Sequence, residues 1–284
     1  TNQGIELEVG YKLSVDKVNL SFLANASYVK NEIKNLGNQT GYIDKESLPT
    51  LGTVSRNQNG YPIGYFFGYK AIGVFQTQEE IDNYISPATG KPIQPNAVPG
   101  DTKFEDLNGD GVISDDNEDR TMIGKPNPDW IVGLTVAADW NGFDLSAFFQ
   151  GSFGADVFDA LRRYELAAVN YTSDALERWT GPGTSNSMPR IVLGDTPKNF
   201  RPSTLLVHDA SFLRLRNLQV GYTLPAQLTR KAYIQRLRFY ASFDNLLTIT
   251  GYKGMDPEIG STMGIDKGVY PQARVYTFGL NLTF

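Results

Sequence analysis

The 284-residue chain has no cysteine and a single histidine, His208. Without cysteine it can form no disulfide, thiolate nucleophile or zinc–thiolate site. One histidine excludes metal sites built from several imidazoles and leaves little scope for acid–base catalysis by imidazole. The sequence also contains no GxSxG, HExxH or P-loop motif. We therefore predict neither an enzyme nor a resident cofactor, apart from the metal loop considered below.

Positive charge and long apolar runs are scarce as well. The formal net charge of -5 argues against nucleic acid as a partner. No run of about 18 apolar residues occurs, which excludes a transmembrane helix, whereas membrane β-strands give a much weaker hydropathy signal. The 28 glycines, 15 tyrosines and 16 phenylalanines favour strands and turns. Because the chain starts on Thr1 and enters a strand almost at once, we expect a piece of a longer protein.

Seven segments alternate apolar and polar residues with the two-residue period of a strand. They are 4–13, 17–30, 130–140, 143–152, 210–223, 236–247 and 274–284. In the last segment the apolar positions are Tyr276, Phe278, Leu280, Leu282 and Phe284, and the polar positions include Thr277, Asn281 and Thr283. The apolar face would meet a second sheet in a soluble or cell-surface sandwich, or lipid in an outer-membrane barrel.

The connections between these strands alternate strictly between short and long. The short ones are 14–16, 141–142 and 224–235, and the long ones are 31–129, 151–209 and 248–273. A barrel with short periplasmic turns and long external loops has this arrangement, and a Greek-key sandwich has no reason for it. Asn141-Gly142 is a strong signal for a two-residue hairpin.

One spacing supports the membrane alternative. Trp130 and Trp140 share a strand face ten residues apart, which is about 33 Å along a strand. At a tilt of roughly 40° this projects to about 25 Å, the height of the lipid-facing band between aromatic girdles.

The seven predicted strands are too few to close a membrane barrel. Seven is an odd number, and a sheet of seven strands has two unpaired edges, so we expect further strands from sequence outside this chain.

Six stretches of the chain carry a family pattern. They are 106–111 (DLNGDG), 123–126 (IGKP), 178–180 (RWT) through 189–190 (PR), 209–225 (DASFLRLRNLQVGYTLP), 245–258 (NLLTITGYKGMDPE) and 270–274 (YPQAR). In these stretches the chain resembles the C-terminal part of SusC/RagA-type TonB-dependent outer-membrane transporters. The resemblance is collinear over most of residues 61–284, whereas residues 1–60 share only the strand pattern.

The resemblance implies an all-β fold, a membrane-spanning antiparallel β-barrel of 22 strands with a plug domain. These seven strands would be its last part, and the plug and TonB box would lie outside the chain. The implied function is TonB-dependent import of oligosaccharides or oligopeptides across the bacterial outer membrane. Implied partners are a SusD-like surface lipoprotein, the TonB–ExbB–ExbD complex, outer-membrane lipid and a second copy in a dimer of SusCD pairs. Phe284 would be the signal for barrel assembly. The alternative is a soluble or cell-surface glycan-binding module without transport activity.

One acidic loop has the ligand spacing of a calcium site. Asp106, Asn108, Asp110 and Gly111 fit positions 1, 3, 5 and 6, and Val112 would contribute its carbonyl. Position 12 is Asn117 rather than glutamate, and an insertion of two residues would bring in Asp119 instead. We predict a structural Ca²⁺ or Mg²⁺ ion in the 106–119 loop, with an acidic surface turn as the alternative.

Other candidates carry weaker signals. An aromatic stretch could contact substrate or simply pack a long loop: Tyr61, Tyr65, Phe66, Phe67 and Tyr69. His208 is predicted to be a structural or surface histidine. Charge pairing inside the barrel is predicted for the arginines at Arg214, Arg216, Arg236 and Arg238. Spacing over 156–179 predicts short helices, where a SusD-like partner could dock.

Overall fold

The computed structural model describes residues 1–115, 118–166, 169–259 and 263–284. Its strands are β1 (Asn2–Val15), β2 (Val18–Asn31), β3 (Tyr42–Asp44), β4 (Ser47–Leu48), β5 (Gly52–Thr53), β6 (Ser55–Gln58), β7 (Tyr65–Tyr69), β8 (Ala71–Val74), β9 (Thr102–Phe104), β10 (Arg120–Gly124), β11 (Trp130–Trp140), β12 (Phe143–Phe153), β13 (Asp156–Asp159), β14 (Val207–Asp209), β15 (Phe212–Thr223), β16 (Arg236–Thr250), β17 (Ile265–Asp266) and β18 (Val275–Thr283).

Helical structure is short. The α-helices are α1 (Gln78–Asp82) and α2 (Ala226–Thr229), and the 3₁₀ turns are Ser173–Glu177, Leu193–Asp195, Thr204–Leu206 and Arg230–Ala232. In the described ranges no helix is long and apolar enough to cross a membrane.

The longest strands form one antiparallel sheet, which has seven strands in the described part of the chain. Their order is β1-β2-β11-β12-β15-β16-β18, so each strand pairs with the next long strand along the sequence. The turn between β11 and β12 has positive φ at both Asn141 (+48°) and Gly142 (+87°), as the two-residue hairpin requires. Each of these strands begins and ends within a few residues of its predicted range.

Cross-strand pairing separates the sheet into an apolar face and a polar face. Phe278 lies opposite Ala241 on the apolar face, and Asn281 lies opposite Arg238 on the polar face. Among the described residues no second sheet packs against the apolar face, and Ile5 and Phe278 are 74% and 77% exposed. The sandwich alternative is therefore wrong, because its apolar face would be buried.

Aromatic rings cluster at both ends of the apolar face. At the end with the short turns, the ring of Phe143 lies 6.3 Å from that of Trp140 and 4.4 Å from that of Tyr222. At the other end, Trp130 and Tyr28 have ring centroids 5.0 Å apart. This is the arrangement of the two aromatic girdles that bound the lipid-facing band of a membrane barrel.

The polar face carries hydrogen-bonded side chains that cross the strands. The Arg238 guanidinium on β16 donates from Nε to Asp144 on β12 over 2.9 Å and from an Nη to Gln219 on β15 over 3.0 Å. Asn217 on β15 donates to Ser242 on β16 over 3.0 Å. Arg238 therefore pairs across the polar face, as the sequence predicted for an inward-facing arginine.

The three long connections, residues 32–129, 154–211 and 251–274, fold together and are called the cap here. They are not irregular loops but carry the short strands β3–β10, β13, β14 and β17. Leu48, Val54 and Phe66 from the first connection pack with Phe158 from the second and Ile265 from the third in one hydrophobic core. The cap therefore needs all three connections to bury its apolar residues.

The helices predicted over 156–179 are mostly wrong. Residues 156–159 form β13, which pairs antiparallel with β14 and parallel with β17, and helical structure is limited to the 3₁₀ turn Ser173–Glu177. Ala167 and Ala168 lie outside the described residues. The apolar side chains of Val157 and Phe158 fit a strand buried on both faces, a pattern that short-range spacing does not separate from a helix.

Candidate functional site

A cavity of about 480 Å³ lies in the cap, where its three connections meet. The first connection contributes Ala71, Ile72, Gly73 and Thr102, the second Arg162, Asp174, Glu177, Asn186, Ser187, Met188, Thr204, Leu205, Val207 and His208, and the third Lys253. Its volume lies in the range of sites that bind small ligands. No stretch of the chain forms the cavity alone, so it exists only when the cap is assembled.

The lining of the cavity combines charges of both signs with amide and hydroxyl groups. Arg162 forms ion pairs with Asp159 at 2.8 Å and with Asp174 at 2.6 Å, which fixes its guanidinium in the wall. Lys253 is exposed and has no ion pair within the described residues. A ligand in the cavity would therefore contact two cations, the Arg162 guanidinium in a fixed position and the Lys253 ammonium on a side chain that can move toward the ligand.

Asn186 links the wall of the cavity to the edge of a strand. Its Oδ1 accepts a hydrogen bond from the backbone N–H of Val74 over 3.1 Å. A Cβ on Gly73, which has φ +148°, would approach this same oxygen to 3.0 Å, so glycine allows the close approach. The backbone of β8 and the amide of Asn186 thus present polar groups at one position.

His208 lies beside the charged part of the wall. Its Nε2 is buried and 3.7 Å from the nearer Asp159 oxygen, beyond hydrogen-bonding distance. Burial lowers the pKa of His208, and the Arg162 guanidinium lowers it further. The imidazole is therefore neutral at pH 7. Its half-buried position next to Tyr252 agrees with the structural role predicted for this residue.

A buried ion-pair network joins the cap to the barrel-like sheet. Arg214 on β15 is 2% exposed and donates to Thr248 over 2.9 Å and to Glu258 over 2.9 Å. It also pairs with Asp256, and Arg216 pairs with Glu258 at 2.6 Å. Both arginines thus pair with carboxylates, as predicted, but the partners lie in the connection after β16 and hold it against the polar face.

Asp256 is held in its charged form by this network. Burial alone would raise the pKa of Asp256, but backbone N–H groups of Gln272 and Glu258 and the Arg214 guanidinium hold it below the ordinary value. The carboxylate is ionised at neutral pH, so the link from the third connection to Arg214 persists under physiological conditions.

A second buried carboxylate, Asp195, is linked to the cavity wall through hydrogen bonds. It accepts hydrogen bonds from the backbone N–H groups of Asn199 over 2.9 Å and Phe200 over 2.8 Å. Asn199 in turn accepts from the backbone N–H of Thr102, a residue of the cavity wall, over 2.8 Å. Burial raises the pKa of Asp195 to about 6 in spite of its two backbone hydrogen bonds.

The aromatic stretch predicted to contact substrate is largely inside the cap. Tyr65, Phe66, Phe67 and Tyr69 are each at most 4% exposed, and only Tyr61 is half-buried. Their burial favours the alternative of local packing. Substrate contact stays a prediction, with Tyr61 the member that has surface available for it.

These buried aromatic rings alternate with arginines in a stack, called the arginine–aromatic stack here. The Arg56 guanidinium lies between the rings of Tyr42 (4.1 Å) and Phe67 (3.6 Å). Arg120 follows over Phe67 (4.3 Å) and Tyr69 (5.7 Å). Arg201, from the second connection, continues the stack over Tyr69 (4.9 Å) and Phe104 (4.8 Å). Cations over ring faces attract, so the stack holds two connections together.

The acidic loop folds around its own carboxylates. Asp106 accepts from the backbone N–H groups of Gly109 (2.8 Å) and Gly111 (2.9 Å). Asp119 is fully buried and accepts from Leu107 (3.1 Å) and Ser114 (3.0 Å), which closes the loop. The side chains of Asn108 and Asp110 also bind loop N–H groups, and Val112 is 55% exposed. Asn117 lies outside the described residues.

These hydrogen bonds leave further lone pairs on each oxygen, since a carboxylate has about four acceptor sites. However, within the described ranges no group of three or more acidic or histidine side chains is placed to hold a metal ion. The described residues of the loop are held by the hydrogen bonds above, and Ca²⁺ or Mg²⁺ binding at 106–119 stays a prediction.

Two predicted residues lie at strand ends. Arg236 is exposed at the start of β16, and Phe284 is 77% exposed beyond the last residue of β18. The role of Phe284 as an assembly signal stays a prediction.

Sequence comparison relates the whole chain to known outer-membrane proteins, although no protein-family profile matches it. The TonB-dependent receptor P3 of Formosa agariphila is 34% identical over 238 residues, which cover 80% of this chain and 23% of that protein. The TonB-dependent receptor SusC of Bacteroides thetaiotaomicron is 30% identical over 289 residues, which cover all of this chain and 26% of that protein.

Structural comparison gives the same family. The structure of the RagAB peptide transporter superposes with a TM-score of 0.75 at 26% identity, covering all of this chain and 29% of that chain. The chain belongs to the SusC/RagA-type TonB-dependent receptors. Its seven-stranded sheet is an arc of their outer-membrane barrel. The chain spans about a quarter of the length of the curated relatives that it matches.

The family relationship covers more of the chain than the sequence motifs did. Residues 1–60 showed only a strand pattern, yet the alignment with SusC extends over the full chain. Sequence reasoning missed Arg162 and Asp195, because they lie outside the motifs and reach the site only through the fold. For Lys253, Asp256 and Glu258 a signal was present, since all three lie in the stretch that resembles the family.

Proposed function

We propose that this chain forms part of the wall and of the external cap of a TonB-dependent importer. The importer would take oligosaccharides or oligopeptides across the bacterial outer membrane. The observation that carries the proposal is the cavity with polar and charged lining in the cap, built from all three long connections above one sheet. A barrel wall whose only role was to face lipid would not require a polar cavity in its cap, whereas a wall beside a path for solute would.

The arrangement supports a defined role for each part. Lys253 and Asn186 would contact solute in the cavity, and Arg162, held by Asp159 and Asp174, would present a fixed cation. Arg214 would keep the third connection against the polar face of the wall. Solute leaving the cavity would then pass a wall lined with hydrogen-bonding groups rather than apolar ones.

The proposal includes partners that lie outside this chain. A SusD-like surface lipoprotein would cover the cap, and two such pairs would form a dimer. TonB–ExbB–ExbD would supply energy through a plug domain. The structurally similar RagAB is a peptide transporter and the similar SusC is a TonB-dependent receptor, which supports import rather than catalysis.

The test uses the full-length receptor with its partner lipoprotein in a host that lacks the chromosomal copy. Growth is measured on a panel of defined oligopeptides and oligosaccharides as sole nutrient. Lys253→Glu should lower uptake of the transported solute about tenfold, the effect of about 1.4 kcal/mol of lost binding. The matched control is Lys45→Glu, an exposed lysine of the cap away from the cavity. Equal uptake by both variants at equal receptor levels would contradict the proposal.

A further inference from the structure

The connection between β15 and β16 ends in an unusual backbone conformation. After α2 and the 3₁₀ turn Arg230–Ala232, Tyr233 has φ +56° and ψ +27°, in the left-handed region. Glycine adopts this conformation freely, whereas a side chain with a Cβ is disfavoured there. Tyrosine is therefore an unfavourable choice for the backbone at this position.

Packing on the chain does not explain the tyrosine. Its side chain is 90% exposed, so the ring gains little from contact with the described residues. The left-handed backbone closes the 3₁₀ turn, since the N–H groups of Tyr233 and Ile234 donate to the carbonyls of Arg230 (3.1 Å) and Thr229 (3.2 Å). Glycine would form the same cap without the Cβ penalty, so the cap does not account for the tyrosine ring. The ring should have a partner outside the chain.

The neighbours of Tyr233 indicate what that partner is. Leu228 is 59% exposed, and Arg230 and Lys231 are exposed basic residues without an ion pair in the described part of the chain. An apolar residue, an aromatic ring and two adjacent cations on one short segment are the composition that favours the interface of an anionic membrane.

The position of the segment agrees with this composition. It lies at the short-turn end of the sheet, where Trp140, Phe143 and Tyr222 form the aromatic cluster of the apolar face. β15 is flanked by β12 and β16 by β18, so the neighbouring wall strands are present and leave the segment exposed. The segment follows Thr223, the last residue of β15 and the neighbour of Tyr222, so it begins at the level of this aromatic cluster.

We propose that the β15–β16 connection binds anionic phospholipid headgroups at the short-turn side of the membrane. Leu228 and Tyr233 lie at the boundary with the acyl chains, and Arg230 and Lys231 contact phosphate. The connection thereby fixes the height of this part of the barrel wall in the bilayer. This inference concerns the wall and does not depend on solute binding in the cap.

The first experiment measures depth in the membrane. A nitroxide label is placed at Tyr233→Cys in the full-length receptor without other cysteines, in nanodiscs of phosphatidylglycerol and phosphatidylcholine. The label should be accessible to oxygen and shielded from a water-soluble nickel complex. The control is Tyr270→Cys in the cap, which is 88% exposed and should be open to nickel. Nickel access at 233 equal to that at 270 would overturn the proposal.

The second experiment measures lipid binding by native mass spectrometry with added phosphatidylglycerol. The double variant Arg230→Gln, Lys231→Gln should bind it about thirtyfold more weakly, since each basic residue near an anionic surface contributes about fivefold. Lys45→Gln, a cap lysine, is the matched control and should bind as the wild type does. Unchanged binding in the double variant would overturn the proposal.

Tyr233→Gly separates binding from folding. It removes the ring and relieves the left-handed backbone, so the barrel should stay folded while phosphatidylglycerol binding falls. A label at 233 that is shielded from both oxygen and nickel in nanodiscs would instead indicate a protein partner, such as another part of the receptor, and would contradict lipid contact.

Discussion

Buried charged residues determine how the cap is held. Arg214 satisfies its guanidinium with Thr248, Asp256 and Glu258, and the backbone N–H groups of Gln272 and Glu258 together with Arg214 hold the pKa of Asp256 below its ordinary value. Asp195 also accepts from two backbone N–H groups but has no ion pair within the described residues, and burial raises its pKa to about 6. The two carboxylates therefore give the cap opposite responses to acid.

The contribution of Asp195 to the unfolding free energy of the cap can be isolated by varying the pH. Its pKa is about 6 in the folded cap against 3.8 for an unperturbed aspartate, so between these values the folded state binds more protons than the unfolded state. The unfolding free energy of the cap should rise by about 1–3 kcal/mol from this residue as the pH falls from 7 to 4. This rise in unfolding free energy is measured by hydrogen exchange of the Asn199 and Phe200 amides, with the rates corrected for intrinsic exchange at each pH.

The variant Asp195→Asn should remove this rise, since an amide does not titrate in this range. Asp82→Asn, at an exposed position in α1, is the control and should keep it. A wild-type cap whose exchange protection is the same as that of Asp195→Asn at every pH would show that burial does not raise this pKa.

At the scale of elements, the arginine–aromatic stack joins β6, β7 and β10 to the second connection through Arg201. Phe67 lies between Arg56 and Arg120, whereas its neighbour Phe66 points into the apolar core beside Phe158. Adjacent residues of one strand thus serve two different kinds of packing.

This difference predicts unequal effects of the same substitution. Phe67→Leu and Phe66→Leu lose similar apolar volume, but only Phe67→Leu also loses two cation–π contacts, about 0.5–2 kcal/mol each. The cap of Phe67→Leu should open more readily, which limited proteolysis of the full-length receptor in detergent would detect. Equal cleavage rates would show that the arginines contribute only through their hydrogen bonds.

The elements differ in how far the sequence predicts them. The wall strands are readable, because a two-residue period over nine or more residues and turns such as Asn141-Gly142 act locally. The cap strands have two to five residues, which is too short for a local period to mark them. Some also pair with strands far along the chain, as β7 does with β10 and β13 with β14 and β17. Tyr65 to Tyr69 was recognised as aromatic, but its partners Arg56, Arg120 and Arg201 are brought together only by the fold.

Prediction from sequence has the same limit at the candidate sites, as the metal loop and the cavity show. The ligand spacing of the loop is a local signal and is visible in the sequence, whereas the cavity depends on residues from 71 to 253 that no motif connects. Charge pairing of Arg214 was predictable from its place on a membrane strand. Its partners in the third connection were not, because a pairing across about forty residues depends on the folded cap.

For the whole molecule, the chain combines an arc of barrel wall with a cap that has its own core. The wall exposes an apolar face bounded by aromatic rings, and the cap carries the charged cavity. In this arrangement the apolar face meets lipid, while the polar face of the same strands does not. The proposed import and the proposed lipid contact of the β15–β16 connection both depend on this division.

Lipid contact along β18 provides the sharpest test of this division between the two faces. Single cysteines at Phe278, Leu280, Thr277 and Asn281 of the full-length receptor are labelled with a fluorescent dye and placed in bilayers with brominated lipid. We expect strong quenching at 278 and 280 and weak quenching at 277 and 281, the two-residue period of the strand. Equal quenching at all four positions, or the reverse pattern, would contradict it.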